Sequence, residues 1–185
     1  RWRHRKDQDP SEAYRLAHED FGQAIQVNPH SPEGWVNRAE TAMGWADWRS
    51  DRKQDVGELL DRAALDLTEA VKLHPGHADA YVQRGILYHA TRRFAEAVAD
   101  YEKALALQPA LREQVEPRLG DARARARVMA VLGPALADLE ASDEDVSAGR
   151  YADARRRIEE GLRLAEEARA AVSAEEWNRV LPAKY

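Results

Sequence analysis

No cysteine occurs anywhere in the 185 residues, which removes disulfides, thiolate metal sites and a cysteine nucleophile. Glycine and proline are scarce at 10 and 8 residues, and runs of alternating β-branched residues are missing. Alanine, leucine, arginine and glutamate dominate instead, so helices are favoured throughout and no sheet is expected. No apolar run approaches the roughly 18 residues that span a bilayer, and no signal peptide with an apolar centre is visible. The net charge of −5, with 33% of residues charged, lacks the basic balance of a phosphate-backbone binder. Catalytic signatures are missing too: there is no glycine-rich phosphate loop, no His-Glu-x-x-His and no Gly-x-Ser-x-Gly elbow. Acid pairs such as Glu159 and Glu160 stand on an arginine-rich helical face and read as solvated charge. These absences predict an all-α chain that is no enzyme, carries no cofactor or metal and binds no nucleic acid.

What is present is a repeat. From Ala78 to Pro109 the chain reads ADAYVQRGILYHATRRFAEAVADYEKALALQP, with Tyr81, Arg84, Gly85, Tyr88, Ala97, Tyr101 and Pro109 at the places where a two-helix unit needs them. The aromatic residues fill the space between paired helices, Gly85 and Ala97 sit at close helix contacts, and Pro109 stops the second helix. This stretch resembles the tetratricopeptide repeat, whose period is about 34 residues.

The rest of the chain falls into that frame in parts. Residues 1–10 open with RWRHRK, read as a disordered basic leader or as a juxtamembrane arm whose anchor lies upstream of Arg1. Ser11 is expected to N-cap a helix whose Ala17, Phe21, Ala24 and Pro29 stand 80 residues before Ala97, Tyr101, Ala104 and Pro109. Ser31, Pro32 and Glu33 open the next helix, in which Trp35, Arg38 and Ala39 repeat Tyr81, Arg84 and Gly85. Pro75 follows Pro29 by 46 residues but precedes Pro109 by 34, so 12 residues are inserted, placed around Trp45 to Val56. Trp45 and Trp48 in that insertion read as the cap of a core end or as a partner-binding patch. His74 and His77 flank Pro75 and Gly76 without sharing a helical face, which argues against a metal site.

Past Pro109 the strict repeat is lost. One long helix is expected from Leu111 to Leu132, with a break at Gly133 and Pro134 and another helix through Leu136 and Leu139. GRYADA at Gly149 to Ala154 is similar to RRFAEA at Arg92 to Ala97, so a degenerate fourth unit follows, with Ala154 and Ile158 in the places of Ala97 and Tyr101. Helix pairs Arg155 with Glu159 and Arg156 with Glu160 are expected on its exposed side. A short helix around Trp177 ends the chain. The division is 1–10, 11–109 for the repeats and 110–185 for the C-terminal helices with their capping unit.

The resemblance implies a right-handed superhelix of roughly three to four antiparallel helix pairs, whose first helices line a concave groove for peptides or partner helices. On that face the frame puts Val36, Asn37, Glu40 and Met43 in one helix, and Asp79, Val82, Gln83, Ile86 and His89 in the next. Asn37 and Gln83 suit a peptide backbone, and Glu40 and Asp79 favour a segment carrying Lys or Arg. The family's carboxylate-gripping pocket uses basic residues where Asp79 and Gln83 stand, so it is not carried over. A protein-binding module is expected, cytoplasmic or tethered through a segment before Arg1. The alternatives are a structural spacer attached to a membrane anchor or signalling kinase, and an RNA-reading helical repeat.

Overall fold

The computed structural model describes residues 9–174. In order these form α1 (Ser11–Val27), α2 (Pro32–Ser50), α3 (Gly57–Leu73), α4 (Ala78–Ala90) and α5 (Phe94–Leu107). A 3-10 turn at Pro109–Leu111 then leads to α6 (Arg112–Ser147) and α7 (Tyr151–Ala171). No strand occurs among the described residues. The chain divides into two compact units, residues 1–119 and 120–185.

The repeat is most evident in the turns. α1, α3 and α5 end in one backbone conformation, at Asn28 (φ −137°, ψ 81°), His74 (φ −137°, ψ 84°) and Gln108 (φ −140°, ψ 88°). Their N–H groups donate four residues back, to the carbonyls of Ala24, Ala70 and Ala104 at 2.9, 3.0 and 2.8 Å. Pro29, Pro75 and Pro109 come next and prevent further helix, since proline has no N–H to give. The aromatic residue opening the following helix then holds the turn. Trp35 Nε1 donates to the Pro29 carbonyl at 3.1 Å, and the Tyr81 hydroxyl donates to the Pro75 carbonyl at 3.3 Å.

A second kind of turn joins the two helices of a pair. Lys53 and Arg92 take left-handed backbone angles, φ 57° and 62°. The next N–H reaches back five residues, Gln54 to the Arg49 carbonyl at 3.0 Å and Arg93 to the Tyr88 carbonyl at 2.7 Å. Such a closure satisfies carbonyls that a helix end leaves open. Gly149 at φ 76°, with Arg150 N–H on the Asp145 carbonyl at 2.7 Å, makes the same turn between α6 and α7. GRYADA therefore repeats RRFAEA in geometry as well as in sequence.

The inserted residues are spread over the second unit. α2 has 19 residues against 13 in α4, and α3 has 17 against 14 in α5, while the turn at 51–56 is twice as long as the turn at 91–93. Half of the insertion therefore lengthens the first helix. α1 belongs to the same long type, for it also has 17 residues. Its first N–H, that of Ser11, donates to Asp9 Oδ1 at 2.9 Å, as Gly57 N–H donates to Asp55 Oδ1 at 3.1 Å. Ser11 is thus the first helical residue rather than the cap, which is Pro10. Asp9, two residues ahead, accepts the N–H of Ser11 itself and so satisfies one of the open donors of the first turn.

In the first unit α2 packs on α3 and α4 on α5. Ala39 and Leu67 are wholly buried in repeat two, and Gly85 and Tyr101 take the same two places in repeat three. A Cβ built on Gly85 would lie 2.6 Å from Tyr101 Cε1, so only glycine fits beneath that ring. Each pair is also locked by one ion pair. Arg38 grips Asp66 through two bonds of 2.6 and 2.7 Å, and Arg84 grips Asp100 through two of 2.7 and 2.8 Å. Both aspartates are buried, at 3% and 5% exposure, so the fork of each arginine meets two lone pairs that water does not reach.

α6 runs unbroken for 36 residues through Gly133 and Pro134, where the sequence predicted a break. A mid-helix proline forfeits one hydrogen bond, but Val128, Leu132 and Ala135 are buried on either side and hold the helix on course. In the second unit Val128 and Leu132 pack with Val172, Val131 and Ala165. Ala154 is buried as expected, but Tyr151 and Ile158, at 70% and 38% exposure, face solvent where Phe94 and Tyr101 face the core. The surface ion pairs also differ. Arg155 pairs with Glu159 at 2.9 Å as predicted, whereas Arg156 takes Asp153, and Glu160 takes Arg163 at 2.5 Å. A partner three residues away is reached in preference to the one four away. Residues 1–8, including RWRHRK, and residues 175–185, including Trp177, lie outside the described residues.

Candidate functional site

α2 and α4 are the first helices of their pairs, and they touch each other directly. Of the residues that the repeat frame assigns to their shared face, Asn37, Glu40 and Asp79 are exposed, and Gln83, Ile86, His89 and Met43 are half-buried. Val36 and Val82, assigned to this face by the repeat frame, are only 2% and 1% exposed. Val36 belongs to the core cluster with Ala39, Leu67 and Leu87, so neither valine offers surface to a partner. His89 is engaged as well, its ring edge-on to Phe94 with centroids 5.3 Å apart. The acids and amide that do meet across the two helices are Glu40 of α2 with Asp79 and Gln83 of α4.

Glu40 is the centre of that meeting. Partial loss of hydration raises its carboxyl above the ordinary 4.5, and the Asp79 charge raises it further, while Gln83 as a hydrogen-bond partner acts the other way. Two carboxylates and an amide from different helices thus share one small region, where a cation relieves the repulsion. Asn37 lies one turn before Thr41, whose hydroxyl donates to the Asn37 carbonyl at 2.9 Å.

The tryptophan patch is built differently. Trp45 stacks on Tyr14 with ring centroids 6.5 Å apart and planes 12° from parallel, and the Arg49 guanidinium lies 5.9 Å from its centroid. Arg52 sits 3.9 Å over Trp48. Both tryptophans are half-buried, and Trp45 meets α1 through the Tyr14 ring. A depression of about 300 Å³ opens beside Trp45 between His18, Arg49, Glu58 and Arg62. Trp45 and Arg49 both line it, and their Nε1 and Nε atoms are buried without a hydrogen-bond partner.

Two roles were not foreseen. His77 is the N-cap of α4, its Nδ1 accepting the Ala80 N–H at 3.2 Å, so its ring serves the helix end. Asp66 and Asp100 are the buried anchors of the arginines that the repeat frame had aligned. Their signal was present as a shared aspartate 34 residues apart, three places after each repeat's alanine.

The model of the tetratricopeptide repeat family matches residues 78–111. Residues 78–111 are a tetratricopeptide repeat. Over 96 residues the chain is 31% identical to small glutamine-rich tetratricopeptide repeat-containing protein 2 of Mycosarcoma maydis, an alignment covering 52% of this chain and 24% of that protein. Over 90 residues it is 33% identical to DnaJ homolog subfamily C member 7 of Mus musculus, covering 49% of this chain and 17% of the relative. The chain thus spans a quarter or less of the length of these relatives. Among solved structures it resembles the tetratricopeptide domain of Arabidopsis OM64, with a TM-score of 0.50 and 22% identity over 61% of this chain and 83% of that one. That likeness is one of fold, an all-α helical repeat. Tetratricopeptide repeats are in general non-enzymatic modules of protein–protein interaction. No helix among the described residues is long and apolar enough to cross a membrane.

Proposed function

We propose that this chain binds a protein segment carrying Lys or Arg along the face shared by α2 and α4. The observation that carries the reading is the meeting of Glu40, Asp79 and Gln83, which leaves negative charge partly stripped of water and a ready amide beside it. A lysine or arginine arriving there restores the lost solvation of the carboxylates. Asn37 and Gln83 each offer one acceptor and two donors, which suits the backbone of an extended peptide. Ile86 and Met43 supply the apolar contact between them. An acidic tail is disfavoured, because Asp79 and Gln83 stand where the family's carboxylate pocket has basic residues.

The test is peptide binding by calorimetry, with matched extended peptides carrying lysine or glutamate. The lysine peptide is expected to bind, and Asn37→Ala/Gln83→Ala and Glu40→Gln to weaken it about tenfold each, as for the loss of one charge-assisted contact. Arg156→Ala, on the exposed side of α7, serves as control. Equal binding of lysine and glutamate peptides, or undiminished binding by folded variants, moves the site away from this face.

A further inference from the structure

α2 carries more negative charge than the meeting of Glu40 with Asp79. Asp47 and Asp51 stand seven and eleven residues after Glu40, and all three are exposed. Asp51 is the C-cap of α2 and keeps helical backbone angles. At about 100° per residue the three side chains leave the helix within about 20° of the direction of Glu40, so they form one stripe along it. Loss of hydration raises the Asp47 carboxyl above its ordinary value, and the Asp51 charge raises it further. Among the described residues no ion pair engages Glu40, Asp47, Asp51 or Asp79.

The chain enters α1 at the Asp51 end of this stripe. Tyr14 lies beside Gly44, where a Cβ would stand 3.4 Å from Tyr14 Cε1. Burial and then the Asp47 charge raise the Tyr14 hydroxyl. One turn earlier Pro10 is buried, and Asp9 feels the charge of Arg52. Residues 1–6, RWRHRK, stand three to eight places before Asp9 and carry four fixed positive charges. Extended chain covers about 3.3 Å per residue, which puts them within about 10–26 Å of Asp9. From Asp51 to Glu40 the helix rises about 16 Å. The basic segment is thus long enough to pass Asp51 and Asp47 and to reach Glu40.

We propose that residues 1–6 dock on this stripe and hold, in cis, the site that a basic partner segment takes. Arg5 and Lys6 meet Asp51 and Asp47, and Arg1 and Arg3 meet Glu40 and Asp79. This rests on the α2–α4 face being a site for a segment with Lys or Arg, and adds its regulation: the partner has to displace the chain's own basic segment. Charge complementarity selects the occupant, and tethering favours it. A short linker holds it at an effective concentration on the order of millimolar, so contacts too weak to retain a free peptide suffice.

The test is calorimetry with the full chain and a five-residue peptide carrying one central lysine. Seated on Glu40, that peptide reaches about 8 Å to either side and stops short of Asp47, about 10 Å along the helix. Arg1→Gln/Arg3→Gln/Arg5→Gln/Lys6→Gln is expected to tighten its binding about tenfold, the gain when the basic segment holds the site about nine-tenths of the time. Asp47→Asn/Asp51→Asn in the otherwise unchanged chain should tighten it too, although negative charge is removed, and should add nothing once the four glutamines are in place. Equal affinity with and without the four glutamines overturns the proposal and leaves the lysine site standing. Unchanged or weaker binding after Asp47→Asn/Asp51→Asn also overturns it, since the basic segment is then not held by the stripe. Absence of binding by every variant, with helix content intact by circular dichroism, overturns the lysine site and the proposal together.

Discussion

Gly85 shows how one missing methyl group sets a repeat. With Tyr101 Cε1 2.6 Å from where its Cβ would stand, Gly85→Leu is expected to destabilise the chain by about 1–3 kcal/mol or more, read in denaturant melts. Repeat two makes the other choice, Ala39 with Leu67, so Gly85→Ala/Tyr101→Leu should recover stability relative to Gly85→Ala alone. Glu40 presents the opposite case, a residue whose ionised form costs stability. Its pKa is higher in the folded chain than the ordinary 4.5, so the folded state holds the proton more tightly. Stability is then greatest below that ordinary value and is lost as the pH rises through the raised one. Glu40→Gln should therefore raise the melting temperature at pH 7 and not at pH 4, while weakening the lysine peptide. A variant that melts lower at pH 7 would contradict this account of the site.

At the scale of the element, the paired helices are held by packing and by one buried ion pair each. Arg84→Gln leaves Asp100, whose side chain is 7% exposed, charged and unmatched, at a cost of about 3–5 kcal/mol. Arg84→Met/Asp100→Leu should recover most of it, because no buried charge is then stranded. Recovery in the double variant would mark the pair as a device for register rather than for net stability. α6 supplies a prediction of the other sign. Pro134 interrupts a helix that continues on both sides, so Pro134→Ala should stabilise α6 by up to about 3 kcal/mol, measured as a raised unfolding midpoint.

At the scale of the whole molecule, capture of a basic partner should weaken as the pH falls from 7 towards the raised pKa of Glu40, and as salt screens the pair of carboxylates. Binding that holds steady from pH 7 to pH 4 would exclude Glu40 as the determinant. Much of this protein was legible before any coordinates. Pro29, Pro75 and Pro109 end helices because proline lacks an N–H wherever it stands, and Tyr81, Gly85 and Tyr101 carry a two-helix unit whose contacts lie within 34 residues. Local chemistry of that kind is written in spacing alone. The unbroken α6 was not legible, since a Gly–Pro dipeptide favours a break and only burial on both sides overrides it. Nor was the burial of Val36 and Val82, because helical periodicity names a face without saying how closely the neighbouring helix approaches it. The sequence by itself determined the helices from α1 to α5, their order and the pairing of α2 with α3 and of α4 with α5. Only the tertiary structure decided which side chains of α2 and α4 remain within reach and which are sealed in the core. Exposure depends on what packs above a residue, and no periodicity within a helix records that.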